Sequence, residues 1–208
     1  NGAILFNAFP PSDPRWQRMV SVNAAIDDAL AEGPARFGWA SAGEIPTGAT
    51  IAGVPACPSR FEVLDGGKRA VADGSRVIFG RDFAGFAYAE DEFAAAVAHE
   101  LAHNLLRHRK MFDAVGRSQS LVRLTERDAD RMMPWLLYNA GYDPRAAARF
   151  MTRWGPKYGG GLLRDRSHDG WDERVEFIEA EIATMETALA ETGKADWSQH
   201  FVPMAKPE

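Results

Sequence analysis

Between Phe93 and Leu106 the chain is almost wholly apolar, and the only polar residues interrupting it are His99, Glu100, His103 and Asn104. The run is rich in alanine and leucine and holds no proline or glycine, so it predicts a helix over about 91–109. At this length, broken by His and Glu, it is too short to cross a bilayer. Residues four apart lie one above the other on a helix, so His99 and His103 share a face, and Glu100 is rotated from His99 by about 100°.

The surrounding chain supplies partners for that helix. At 208 residues it is long enough to bury a real core, and its 46% hydrophobic and 25% charged residues are those of an ordinary folded protein. Ala3 to Asn7 reads as a short strand, and apolar steps from Trp16 to Leu30 read as a helix ended by Gly33-Pro34. From Arg36 to Phe86 short β-rich pieces alternate with Gly and Pro, including Phe61 to Leu64 and Arg76 to Phe79. Asp73-Gly74 is placed as the turn of a hairpin. Further helices are expected over 120–140, 144–154 and 172–191, with Gly141 and Gly193 at helix ends. Gly155 to Ser167, with Gly159-Gly160-Gly161, reads as a loop. The expected fold is α+β: one domain over 1–208, mainly helical, with a small, partly antiparallel sheet beside the His99–His103 helix.

His99-Glu100-Leu101-Ala102-His103 has the spacing of a zinc site, with two imidazoles for one ion and a carboxylate that reaches water on it. Glu100 then serves as general base rather than ligand. Such a pentapeptide arises by chance in on the order of one per cent of chains this long, so coincidence stays open on this segment alone. Glu126 and Asp130 share a face of the next expected helix, after a connection of about twenty residues. Glu126 supplies the third protein ligand that a catalytic zinc site wants, and Asp130 can accept a ligand histidine's free N–H. A solvated acidic helix face is the plain alternative for that pair.

These segments together resemble the M48 family of gluzincin metallopeptidases. His99 through His108 is similar to the family's metal helix, Glu126 to Asp130 and Asn139 to Pro144 to its third-ligand helix and exit turn, and Ser167-His168 through Glu173-Arg174-Val175 to its later His and Glu-Arg stretch. The resemblance implies zinc on His99, His103 and Glu126, with Glu100 activating water and Asp130 supporting a ligand. It further implies that His168 stabilises the oxyanion or controls access, and that Arg174 orients that region. Its implied activity is hydrolysis of internal peptide bonds in a peptide or unfolded protein. Two positions depart from the family: Asp169, a carboxylate expected to draw the His168 imidazole away or raise its pKa, and Pro134, expected to kink the third-ligand helix.

Other readings stay in view. The same zinc water would serve a non-peptide amide, and a latent or non-catalytic zinc-containing binding module would keep the metal without turnover. The Arg76 to Phe79 strand is expected to border the cleft and pair with an extended peptide. His108, five positions after His103, is expected to be a helix-end charge or packing residue. Cys57 stands alone, so no internal disulfide forms, and the net charge of −5 gives no reason to expect nucleic acid as partner. No membrane span is read. Asn1 at the start in place of Met suggests export to the periplasm or outside after removal of a leader.

Overall fold

The computed structural model describes residues 50–51, 54–55, 60–64, 70–74, 76–80, 90–158 and 169–206. The strand expected at 3–7, the helix over 16–30, Cys57 and His168 lie outside these residues.

Two short strands, β1 (Thr50–Ile51) and β2 (Val54–Pro55), pair antiparallel. A second sheet contains β3 (Arg60–Leu64), β4 (Ala70–Ala72) and β5 (Arg76–Gly80) in the order β3-β5-β4. The hairpin falls where Asp73-Gly74 places it: β4 and β5 are antiparallel, Ala72 faces Val77, and Gly74 has φ of 100°, which a residue with a Cβ rarely adopts. The other side of β5 is occupied too. All five of its residues pair in parallel with β3, from Arg60 opposite Arg76 to Leu64 opposite Gly80. This corrects the expectation that the Arg76 to Phe79 strand offers its backbone to a peptide, because both of its hydrogen-bonding edges are already engaged. The edges of this sheet, among the described residues, are β3 and β4.

The helices are α1 (Glu90–Leu105), α2 (His108–Val115), α3 (Gln119–Asn139), α4 (Ala146–Tyr158), α5 (Trp171–Thr192) and the short α6 (Trp197–His200). The architecture is therefore α+β and mostly helical. Ser118 caps α3 by accepting the Leu121 N–H at 3.2 Å, and Glu173 returns to the Gly170 N–H at 2.9 Å to start α5. Pro134 leaves the Asp130 carbonyl without its helical donor, yet α3 runs on through it to Asn139. The loop expected from Gly155 begins later, since Gly155 to Tyr158 extend α4. A Cβ on Gly155 would stand 2.3 Å from the Trp171 Cβ, so its bare backbone lets α4 press against the start of α5.

Helix α1 is central: α3 packs against it most extensively, α4 lies alongside, and β4 and β5 cover another side. Ala94, Ala95, Ala98 and Ala102 are fully buried, and these one-carbon side chains allow close approach of the neighbours. Phe79 and Phe93 meet at 5.4 Å between ring centroids, joining sheet to helix; each buried ring of this kind contributes about 1.5–3 kcal/mol. Gly74 in the hairpin turn donates its N–H to Asn104 Oδ1 at 2.8 Å, which fixes the sheet one residue beyond His103. Past Asp91, every residue of α1 is buried except His99 and His103. The two imidazoles are thus the opening of an otherwise enclosed helix. No helix among the described residues is long and apolar enough to cross a membrane.

Candidate metal centre

The one-turn spacing on α1 brings His99 Nε2 and His103 Nε2 to 3.2 Å, with the rings at 77° to each other. Helix α3 crosses beside them and delivers Glu126, whose Oε2 lies 3.4 Å from His99 Nε2 and whose Oε1 lies 3.5 Å from His103 Nε2. His99, His103 and Glu126 thus form a group that can hold a metal ion, each offering one ligand atom. The three side chains are 13%, 14% and 19% exposed, so a ligand or water can reach the point on which they converge.

The supports come from α3 and α5. Asp130, one turn beyond Glu126 and fully buried, sets Oδ1 3.0 Å from His99 Nδ1, although the angle falls short of a well-formed hydrogen bond. Arg174 clamps the same carboxylate, Nε donating to Oδ2 at 2.6 Å and Nη2 to Oδ1 at 2.8 Å. Its Nη2 also stands 3.8 Å from Glu126 Oε2. Arg174 therefore acts on both acids of α3, a more specific arrangement than the orienting role the sequence implied. The Asp169 side chain is 5% exposed and accepts from Arg127 Nε and Nη2, at 2.5 and 3.0 Å, with Arg123 Nε at 3.6 Å. Its carboxylate is engaged by arginines of α3, while His168, the imidazole it was expected to act on, lies outside the described residues.

His108 and Asp128 add two further supports to these helices. His108 is 1% exposed, and its Nδ1 lies 2.8 Å from His103 Nδ1. It packs inside, as one of its two expected readings had it, and stays outside the group that can hold a metal; what differs is that it is no helix-end charge and sits beside His103, because α1 stops at Leu105 and the chain turns back through Arg107. Asp128, between Glu126 and Asp130, is fully buried and accepts the backbone N–H groups of Met204 and Ala205 at 2.8–2.9 Å, so the 201–205 segment straps the ligand helix. Its flanking charges give no hint that a carboxylate on this helix serves a distant backbone.

The charges of the group follow from burial and mutual contact. Burial disfavours charge on His99, but Asp130 and Glu126 outweigh it and raise its pKa to about 10. His103 is pushed down to about 4, chiefly by burial, and burial also holds His108 well below its ordinary value. Burial likewise opposes charge on Glu126, yet the histidines and Arg174 prevail and keep its carboxyl well below the usual range. Glu100, 9% exposed, moves the other way: burial lifts it to about 7, with His99 partly offsetting this. A metal ligand must present a free lone pair, so a divalent ion would displace the extra proton of His99, whereas His103 is already neutral and Glu126 already ionised near neutrality. Because Asp130 and Glu126 favour a protonated His99, lowering the pH should weaken metal binding. Calorimetric titration at about pH 8.5, where Glu100 is already ionised, in buffers of different ionisation enthalpy should show net proton release on metal binding. Release of none would remove His99 from the ligand set.

No family model matches the chain, and no curated protein matches it.

Proposed function

We propose that the chain is a zinc-dependent endopeptidase, with His99, His103 and Glu126 holding the ion and Glu100 as general base. The observation that carries this reading is the convergence of His99, His103 and Glu126 around an opening in α1, with the buried carboxylate of Glu100 on the same helix. The donor set favours zinc, which suits two imidazoles and one carboxylate with a free position. The resemblance of His99 to His108, Glu126 to Asp130 and Arg174 to the M48 gluzincins points the same way.

Zinc, when bound, acidifies a coordinated water and polarises the carbonyl under attack. The chain's own residues supply the proton traffic and the fixed geometry. Glu100 takes the proton released as water attacks the scissile carbonyl and returns it to the departing amine. A carboxyl lifted by burial towards neutrality is suited to both halves of that exchange. Asp130 holds His99 in the orientation that presents Nε2, while Arg174 holds Asp130. An extended peptide pairing with the sheet would take β4, an edge of the sheet among the described residues that packs beside α1, in place of β5.

Metal analysis joined to cleavage of an unfolded protein tests the reading. The purified chain should carry about one zinc, cleave internal bonds, lose activity to a chelator and regain it with zinc. Glu126→Ala should remove most of the bound metal and the activity with it, leaving two imidazoles that cannot retain the ion against a chelator. Zinc-loaded protein that cleaves no peptide bond would overturn the peptidase assignment; full metal content in Glu126→Ala would overturn the ligand set.

A further inference from the structure

The contact between His103 and His108 is not a by-product of helical spacing. In a continuous helix the fifth residue on is rotated about 140° from the first and sits about 7.5 Å further along the axis. Here α1 ends at Leu105 and α2 starts at His108, and between them Arg107 adopts φ 58°, ψ 35°. It is the only residue other than glycine with positive φ among the described residues. A left-handed conformation is disfavoured for a residue with a Cβ. The turn carries the imidazole of His108 back over the last turn of α1, where it is buried to 1% exposure with its ring centroid 4.9 Å from that of His103. Backbone strain of this sort persists only when its surroundings fix it.

The two Nδ1 atoms, 2.8 Å apart, hold one proton between them. Which nitrogen owns it follows from the other side of His103. His103 Nε2 faces His99 Nε2 and Glu126, so a ligand lone pair is needed there. The neutral imidazole then carries its hydrogen on Nδ1 and donates, leaving His108 Nδ1 to accept and His108 Nε2 to hold the second ring's hydrogen.

We infer that His108 is a positioning residue for the metal centre: by accepting the Nδ1–H of His103, it fixes the tautomer and ring orientation that present Nε2 to the ion. The inference rests on the metal reading proposed above. It gives the two histidines separate supports: the carboxylate of Asp130, clamped by Arg174, for His99, and a neutral imidazole for His103. A neutral acceptor fixes His103 without adding negative charge to a site already holding Glu126 and Asp130.

Zinc affinity measured by competition with a chelating dye, for wild type, His108→Phe and His108→Asn, tests this, with thermal unfolding in excess chelator as the control for folding. Phenylalanine keeps the ring and removes the acceptor, and should weaken zinc binding by about 10–100-fold. Asparagine places Oδ1 where Nδ1 was and should recover most of the loss. Unchanged affinity in His108→Phe, or equal weakening in both folded variants, overturns the inference while leaving the metal site standing. If His108→Phe does not fold, nitrogen-detected imidazole spectra of the zinc-loaded wild type decide the matter. Protonation of His103 at Nδ1 and of His108 at Nε2 is expected, and the reverse assignment overturns the proposal. A wild-type chain that binds no zinc ends both this inference and the reading beneath it.

Discussion

If the chain is the zinc peptidase proposed above, replacing Glu100 by glutamine should leave it folded with about one zinc bound and lower peptide cleavage by at least about 10²–10⁴-fold. The two side chains have nearly the same shape, so the packing around a residue 9% exposed is kept. What is lost is the ability to take a proton. Because Glu100 stands outside the ligand group of His99, His103 and Glu126, metal content should not follow activity down. That split separates a base from a ligand, and a comparison of zinc content with turnover in the same preparation measures it. A pH profile sharpens the test. Burial lifts Glu100 to about 7 without a cation, and a bound divalent ion pulls that value lower. The base form is the ionised one, so activity should fall as pH drops, with an acid limb centred below 7. Turnover in Glu100→Gln within tenfold of wild type would require another group to act as base.

Asp130→Ala is expected to be the most damaging single change to stability near the site. Asp130 is fully buried and receives two short hydrogen bonds from Arg174, itself 7% exposed. Without the carboxylate a buried guanidinium is left with Glu126 at 3.8 Å as its remaining nearby anion within the ligand group. Removing one partner of a buried pair costs about 3–5 kcal/mol, a large part of the roughly 5–15 kcal/mol that holds a domain folded. For a chain of this size the melting temperature should fall by about 10 °C. Metal affinity should fall as well, because His99 loses its Nδ1 partner and Arg174 is free to pull on Glu126. Taking out both partners, in Asp130→Leu with Arg174→Met, should cost less than Asp130→Ala alone, since no charge is stranded. Thermal unfolding in excess chelator reads the stability, and dye competition reads the metal. A melting temperature within a degree or two of wild type would show that the pair does not support the fold.

The parts of this chain that could be read along the sequence are those set by spacing. Helices α3 and α5 lie within a residue of the ranges their periodicity suggested, because apolar stripes and caps are local properties. Gly141 and Gly193 take the left-handed conformation that ends a helix, as their positions implied. The pairs His99–His103 and Glu126–Asp130 each share a face for the same reason. The Asp73-Gly74 hairpin was equally local. Arg174 was singled out through the resemblance, but its two-pronged grip on Asp130 became visible only when α5 was laid on α3.

What spacing could not decide was every contact made by leaving the regular element or crossing between distant ones. Nothing in Leu106-Arg107 resembles a helix stop, since neither residue is glycine, asparagine or proline. The end of α1 at Leu105 and the return of His108 to His103 depend on packing that overrides helix propensity worth well under about 1 kcal/mol per residue. The place of β5 in the middle of its sheet is likewise a matter of pairing with β3, which precedes the hairpin in sequence. Asp169 with Arg127, and Asp128 with the backbone of 204–205, join residues whose separation leaves no periodic trace. The sequence by itself determined which side chains share a helical face, because a helix repeats every 3.6 residues regardless of its surroundings. The tertiary structure decided which faces meet and what supports each ligand, because a buried charge or imidazole takes its partner from whichever element packing brings within hydrogen-bond reach.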